Sequence, residues 1–218
     1  MVVGESGRNT CWCDGLNVMN AEPCFFEDFC PIDNTRALIV TGPYYTDLNE
    51  IREVTYQKKD GHVIINDATL VKTGEKLRLG NYWCGELLFS SKKIVYTPDG
   101  ETYPGNQPFI SKIGLVCQTG ELEKTEIRLN GNTLFDAKSL GKSEIGRPTV
   151  YGNMIYYEAR EGVWENDPRC WDTYCFDVET KKHELVLKEA ANPFVYNGTL
   201  FYSSWENGRF TTRYKDDV

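Results

Sequence analysis

The feature that most constrains the fold of this chain is a proline-entered hairpin that occurs twice. Residues 147–160 read RPTVYGNMIYYEAR, and residues 192–205, 45 positions later, read NPFVYNGTLFYSSW. Each copy begins as a short apolar strand after Pro148 or Pro193, turns through a Gly/Asn pair and continues as an aromatic-rich strand. Gly/Asn pairs favour turns whose twist suits a β-hairpin. Recurrence at this period indicates an array of similar β units.

Short strand patterns separated by turn residues fill the chain from Arg36 onward. A third copy of the motif starts at Pro108, 40 residues before Pro148, and a fainter copy starts at Asn81. The pattern predicts five units, at residues 36–80, 81–105, 106–146, 147–191 and 192–218. The second unit is short for such a repeat. One stretch, residues 47–53, is typical of a helical turn, and the rest of the chain is predicted to be all-β.

The aromatic-rich hairpins, which are most regular over residues 81–218, resemble the repeats of β-propeller proteins. The resemblance implies a small propeller of about five blades, without indicating any one family of propellers. The last unit has only three strands, and propellers commonly complete such a blade with a strand from the other terminus. Residues 1–35 are available for that role. A β-sandwich built from the same hairpins is the structural alternative.

Residues 1–35 form a cysteine-rich N-terminal segment, distinct from the repeat domain at 36–218. Two cysteines spaced two apart face the same side of an extended chain, so they are poorly placed to bond each other. Zinc is disfavoured because no C-x2–4-C knuckle is present. A bridge within the fourth unit would require a turn through residues 171–174. The disulfide candidates are Cys11, Cys13, Cys24, Cys30, Cys170 and Cys175.

Charge and hydropathy exclude several classes of partner. The net charge of −8 repels nucleic-acid phosphates, and no Lys/Arg cluster overrides it. No apolar run reaches the length of a membrane-spanning helix, so no membrane insertion is expected. The N-terminal residues lack the apolar core of a signal peptide. Eight cysteines favour an extracellular, virion or cell-surface setting, or alternatively the interior of a hyperthermophile.

The residues that catalysis requires are scarce. The chain has two histidines, His62 and His183, both in alternating strands that are predicted to be solvated, and it has no G-x-S-x-G motif. The inner-strand candidates, such as PTVY at 148–151, contain no Asp or Glu, whereas glycoside cleavage requires two carboxylates. No catalytic residue, cofactor or metal site is therefore predicted. A propeller-type carbohydrate-active enzyme, either a glycoside hydrolase or a lyase, is the alternative.

A binding surface is predicted around residues 161–175, where aromatic side chains lie among acidic ones. Rigid loops of this composition are common recognition surfaces for sugars and proteins. The predicted ligand-binding residues are Trp164, Trp171, Tyr174 and, in the equivalent part of the last unit, Trp205. The competing interpretation is that these rings only cover the edge of a blade. The sequence thus predicts a non-enzymatic recognition or assembly module that binds a glycan, a protein partner or further copies of itself.

Overall fold

The computed structural model describes residues 2–6, 9–13, 24–43, 48–83, 85–162, 170–206 and 209–218. Within these ranges the side chains of 2–6, 9–13, 24–27, 42–43, 83, 206 and 209–210 are not described. The described chain is built mainly of β-strands, and Leu122–Lys124 forms a 3-10 turn. None of its described residues belongs to a helix that is long and apolar enough to span a membrane.

Twenty-one strands follow one another along the described chain. An N-terminal hairpin precedes five groups of consecutive strands, which we call blades 1 to 5. The hairpin consists of β1 (Val2–Ser6) and β2 (Asn9–Cys13). Blade 1 consists of β3 (Cys24–Pro31), β4 (Arg36–Pro43), β5 (Leu48–Lys59) and β6 (His62–Glu75). Blade 2 consists of β7 (Arg78–Trp83), β8 (Glu86–Ser91), β9 (Ile94–Tyr96) and β10 (Thr102–Pro104). Blade 3 consists of β11 (Asn106–Ser111), β12 (Gly114–Thr119), β13 (Glu126–Leu129) and β14 (Asn132–Asp136). Blade 4 consists of β15 (Glu144–Tyr151), β16 (Met154–Arg160), β17 (Trp171–Asp177) and β18 (His183–Leu187). Blade 5 consists of β19 (Ala191–Tyr196), β20 (Thr199–Glu206) and β21 (Arg209–Lys215).

The blades form a closed ring. Within each blade the strands pair antiparallel in chain order. The first strand of each blade is innermost, and β3, β7, β11, β15 and β19 each contact the next, with β19 returning to β3. Such a ring of radially arranged sheets is a five-bladed β-propeller. The prediction of an all-β propeller is confirmed, and the face-to-face sheets of a sandwich are not formed.

The predicted units match the blades closely, with two differences at the start of the chain. The short second unit is a complete four-stranded blade. The predicted helical turn at residues 47–53 is wrong, because Leu48–Lys59 is a strand whose buried positions alternate, with Asn49, Ile51 and Val54 inside. Blade 1 begins at Cys24 rather than at Arg36, so part of the predicted N-terminal segment supplies an innermost strand.

The middle of the ring is filled rather than open. Phe109 of blade 3 and Phe194 of blade 5 lie with their ring centroids 5.6 Å apart, although their blades are not neighbours in the ring. Both rings are buried. Contact between two non-adjacent blades crosses the axis, so these apolar side chains occupy the place where larger propellers have a channel.

Blade 5 is completed by β6 of blade 1. The strand order β19-β20-β21-β6-β5-β4-β3 joins the two blades in one seven-stranded sheet, through the single residue pair Arg213 and His62. This sheet order differs from the expectation that residues 1–35 would supply the closing strand. The first residue of β6, His62, pairs with Lys59 of β5 on one side and with Arg213 of β21 on the other, which joins the two blades.

Side chains reinforce this junction, which we call the closing seam. Lys58 Nζ lies 2.7 Å from Asp216 Oδ1 and 3.3 Å from Thr199 Oγ1. The same ammonium lies 4.7 Å from the centre of the Tyr214 ring. The Lys58 ammonium and the Thr199 hydroxyl together lower the pKa of Asp216. The end of the chain is thereby tied to blade 1.

Replacing Asp216 by Asn is expected to loosen the closing seam. Lys58 loses its carboxylate partner, and exposed ion pairs contribute at most roughly 1 kcal/mol, so amide exchange in β21 should rise up to about fivefold at pH 7. A carboxylate with a lowered pKa stabilises the fold above its unfolded pKa, and that stabilisation is lost as the pH falls through the folded pKa. The difference between the two proteins should therefore vanish in strong acid.

Hydrogen exchange measured by mass spectrometry tests this expectation. The matched control is Glu53→Gln, which breaks the exposed pair with Arg36 inside blade 1 and should leave β21 unchanged. Equal exchange of β21 in wild type and Asp216→Asn would show that the seam does not depend on this pair.

Candidate functional site

Blades 3, 4 and 5 share an irregularity in their innermost strands. The register of β11, β15 and β19 shifts by one residue, just where a proline is preceded by Gln107, Arg147 or Asn192. These three residues have left-handed backbones, with φ of 48°, 44° and 52°. That conformation is costly for residues other than glycine, and a following proline makes α-type backbone less favourable still. The bulges therefore hold strained backbone beside the axis.

Arg147 uses its strained position to reach across the axis. Its Nη1 forms an ion pair with Asp28 Oδ1 on β3, in blade 1, which is not a neighbour of blade 4. The other oxygen, Oδ2, accepts a hydrogen bond from Leu79 N at 2.7 Å. Asp28 is 1% exposed and Arg147 is 3% exposed, so both charges are withdrawn from water.

A second carboxylate lies close to this pair. Glu158 on β16 is buried, and its Oε2 accepts a hydrogen bond from Asn192 N at 2.6 Å. Burial raises the pKa of Glu158, while the Asn192 N–H and the Arg147 guanidinium act in the opposite direction. Burial likewise lowers the pKa of Arg147 and of the partly buried Arg78 to about 10, and Glu158 opposes that change. We refer to Asp28, Arg78, Arg147 and Glu158 as the axial cluster.

The axial cluster corrects one expectation from the sequence. The innermost strands do carry a carboxylate, Asp28, which the sequence analysis missed because residues 1–35 were assigned to a separate segment. The available signal was the apolar pair Phe25-Phe26 just before it, which is typical of a strand entering the core. A raised pKa suits a general acid. However, Glu158 is only 8% exposed, and both carboxylates are already bound by donors.

The four predicted aromatic ligand-binding residues do not form one patch. Trp171 and Tyr174 are three residues apart on the regular strand β17, so they point to opposite faces of blade 4. Trp205 lies on β20 of blade 5, paired opposite Phe210. Trp164 lies outside the described residues.

Tyr174 is part of the packing between blades 3 and 4. Its ring stacks on Tyr157 with centroids 5.8 Å apart, and it packs against the main apolar core. Its hydroxyl accepts a hydrogen bond from Lys142 Nζ at 3.0 Å, and the same ammonium pairs with Glu161. This placement agrees with the competing interpretation, in which the ring covers the blade.

Trp171 belongs to a different arrangement, on the other face of blade 4. Arg160 is paired directly opposite Glu144 on one side and Trp171 on the other, which sets the three side chains in a row on one face. Arg160 Nε and Nη2 donate to Glu144 Oε2 at 2.9 and 2.6 Å. The indole lies over the guanidinium, with 5.1 Å between Arg160 Cζ and the ring centre. We call these three residues the blade-4 site.

One atom of the blade-4 site lacks a partner within the described chain. Arg160 is 3% exposed, and its Nη1 is buried without a hydrogen-bond acceptor. Trp171 is half-buried, and the Glu144 side chain is 25% exposed. A buried donor without an acceptor is rare in folded proteins and often marks a functional position. Glu144 and Arg160 could not be identified from the sequence, because only the strand register places them beside Trp171.

The cysteines differ from the predicted disulfides. Cys30, Cys170 and Cys175 carry free thiols, as does Cys117. A bridge between Cys170 and Cys175 required a turn through residues 171–174, but these residues are part of a straight strand. Burial raises the pKa of Cys30 to about 12 and that of Cys117 to about 11, which makes these thiols poor nucleophiles. The side chains of Cys11, Cys13 and Cys24 lie outside the described part of the chain.

Among the described residues, no three His, Cys, Asp or Glu side chains are arranged to hold a metal ion.

His183 is not on a solvated face, contrary to the sequence prediction. Its Nδ1 lies 2.8 Å from the Tyr157 hydroxyl, and its ring packs against Phe135 and Phe176 at centroid distances of 4.9 and 4.6 Å. Burial raises the pKa of Tyr157, so this hydroxyl stays protonated and is the donor. Burial also lowers the pKa of His183, which keeps the imidazole neutral as the acceptor.

Replacing Arg147 by Met is expected to destabilise the fold by about 3–5 kcal/mol, because the Asp28 carboxylate stays buried without its guanidinium. Combining it with Asp28→Asn should restore part of the loss, since the buried charge is then removed. Urea unfolding measures both effects. The control is Glu75→Gln, which breaks the exposed pair with Lys92 and should cost roughly 1 kcal/mol or less. A loss in Arg147→Met no larger than in this control would contradict a buried ion pair at the axis.

His183 should make stability depend on pH between neutrality and mild acid. Its pKa is lower in the folded protein than the roughly 6.5 of an exposed histidine, so the unfolded chain binds the proton first. The free energy of unfolding should therefore fall as the pH drops below about 6.5. His183→Asn keeps an acceptor for Tyr157 and should flatten that dependence, whereas His62→Asn serves as the control. An unchanged slope between pH 7.5 and 5.5 in His183→Asn would show that this histidine does not contribute.

Comparisons with known proteins show no family for this chain. No family model matches the chain, and no curated protein matches it either. Among solved structures, the β-propeller domain of the Trilobed protease from Pyrococcus furiosus is similar at 9% sequence identity and a TM-score of 0.47. The match covers 89% of this chain and 82% of that domain.

Proposed function

We propose that this protein is a non-enzymatic recognition module that binds a glycan or a protein partner at the blade-4 site. The observation that supports the proposal is the state of Arg160, whose buried guanidinium lies against a half-buried tryptophan and keeps one nitrogen without an acceptor in the described chain. Leaving a buried donor unpaired costs roughly 1–3 kcal/mol, which an incoming acceptor would recover.

Tryptophan and arginine are also the residue types most enriched among the side chains that dominate binding energies. A tryptophan offers a large apolar surface with few rotatable bonds, and an arginine offers several donors in a fixed plane. In the blade-4 site the Arg160 plane is held by two hydrogen bonds to Glu144. The site is thus organised before any ligand arrives, which reduces the entropy lost on binding.

Catalysis has less support in the same structure. The axial carboxylates, Asp28 and Glu158, are buried and already accept hydrogen bonds from backbone N–H groups. His183 is engaged by Tyr157, and the pKa values of the buried thiols of Cys30 and Cys117 are raised. A glycoside hydrolase or lyase is retained only as the rival outcome of the experiment below.

The setting and the assembly state are part of the proposal. The acidic composition supports a solvent-exposed module, which we place on a virion, an appendage or a cell. The partner is then a glycan or a protein met at that surface, or a further copy of the module in a larger assembly.

Replacing Trp171 by Ala is expected to reduce affinity at least about tenfold, because truncation of a binding tryptophan typically costs 2 kcal/mol or more. Replacement by Phe should retain part of the binding. The measurement is binding of the full chain to a printed glycan array, followed by titration calorimetry with each retained glycan. Candidate protein partners are examined by the same titration.

Tyr96→Ala is the matched control, because Tyr96 is an exposed aromatic residue of blade 2 and is remote from Trp171 along the ring. Binding that is equally strong in Trp171→Ala and wild type would overturn the assignment of the site. Polysaccharide turnover that disappears in Glu158→Gln would replace the recognition module by an enzyme.

A further inference from the structure

We infer that the ligand of the blade-4 site is an uncharged sugar that presents two adjacent hydroxyl groups. This inference rests on the proposed function and narrows it to one class of ligand. It follows from three properties of Glu144, Arg160 and Trp171: the hydrogen-bonding atoms left over by their ion pair, the charge of the site and the position of the indole.

The ion pair leaves one acceptor and one donor unused. Both Arg160 N–H groups that reach Glu144 meet the same oxygen, Oε2. In the described part of the chain, therefore, Glu144 Oε1 accepts no hydrogen bond, and Arg160 Nη1 has no acceptor. A hydroxyl group both donates and accepts. Two neighbouring hydroxyls can thus donate to Oε1 and accept from Nη1 at the same time.

The charge of the site selects an uncharged ligand. Glu144 and Arg160 neutralise each other, and the neighbouring Glu161 is paired with Lys142. The surrounding protein carries a net charge of −8, which repels carboxylates and phosphates. A ligand with a negative charge would also have to compete with Glu144 for the guanidinium. A neutral polyol is not repelled by the net charge and does not compete with Glu144 for the guanidinium.

The position of Trp171 suits the apolar side of a sugar ring. The indole is half-buried and lies over the Arg160 guanidinium, whose Cζ is 5.1 Å from the ring centre. A pyranose has C–H groups on its faces and hydroxyls at its edge, so it can cover an aromatic ring while its edge makes hydrogen bonds. Because the indole lies against the guanidinium, a ligand that binds there should change the fluorescence of Trp171.

The test compares methyl glycosides of glucose, galactose and mannose with the matching methyl glycosides of their uronic acids, at low salt. Tryptophan fluorescence and chemical-shift perturbation report binding to the full chain. At least one neutral glycoside should bind, and its uronic acid counterpart should bind at least tenfold more weakly. The 2-deoxy form of the bound glycoside should also be weakened if that hydroxyl is one of the adjacent pair.

The variant Glu144→Gln tests directly whether the neutral charge of the site selects the ligand. It leaves the shape of the site but exposes an uncompensated guanidinium, so it should weaken the neutral glycoside about fivefold and strengthen the uronic acid. Glu161→Gln is the control, because this carboxylate is exposed and adjacent but pairs with Lys142 instead. If Glu144→Gln does not fold, the comparison of neutral and acidic glycosides in the wild type still decides the question.

The outcomes separate this inference from the proposed function. Tighter binding of the uronic acids by the wild-type chain overturns the inference and leaves the recognition module standing. The same holds if a protein partner binds through Trp171 and no glycoside does. Absence of any Trp171-dependent binding, to glycans or to proteins, overturns both.

Discussion

The ion pair between Asp28 and Arg147 is the constraint on which the rest of the ring depends. It joins blades 1 and 4 across the axis, where the two charges are almost completely buried. Removing charges from water is costly, and an ion pair offsets that cost only with good geometry and further hydrogen bonds. Leu79 N supplies one such bond to Asp28. The pair therefore specifies which strands face each other at the axis, more than it adds net stability.

One of the three strained bulges places Arg147 in this ion pair. Arg147 reaches Asp28 from a left-handed backbone, a conformation that costs on the order of 1–3 kcal/mol. Hydrogen bonds to the bulged backbone offset part of this cost. Gln107 Oε1 accepts the Arg147 N–H at 2.8 Å, and Glu158 accepts the Asn192 N–H. In blade 2 the matching residue is Gly80, where a Cβ would collide with the carbonyl oxygen of Pro108. Close approach of the innermost strands explains why this position is glycine.

Much of the fold could be predicted from the sequence, because the signals were local. The prolines of β11, β15 and β19 and the Gly/Asn turns lie next to the strands that they delimit, so the last three blades were located within a few residues. Blade 1 was harder to find because β3 precedes the regular repeat, and its Asp28 therefore escaped notice. The partner of β21 could not be predicted either. Its single pair with β6 joins residues about 150 positions apart, and no local pattern encodes such a contact.

The candidate site was predictable only in part, for a related reason. Trp171 was identified because its neighbourhood is rich in aromatic and acidic residues. Tyr174 was wrongly grouped with it, since the two-residue period of a strand places the two side chains on opposite faces. Glu144 and Arg160 are 16 residues apart and acquire meaning only through the register of β15 and β16. Cys170 and Cys175 suggested a bridged loop, whereas the backbone hydrogen bonds of β16 and β18 hold β17 straight.

The filled axis supports placing the proposed recognition site on blade 4 rather than at the centre of the ring. Phe109 and Phe194 occupy the centre of the ring, and the charges of the axial cluster are bound to one another. A small five-bladed ring thus fills its axis with apolar side chains and paired charges. The strand ends of blade 4 lie away from this filled centre, and there Arg160 keeps a donor that no described residue satisfies. We therefore expect the specificity of the proposed site to depend on Glu144, which holds the Arg160 guanidinium through one oxygen and leaves the other for a ligand.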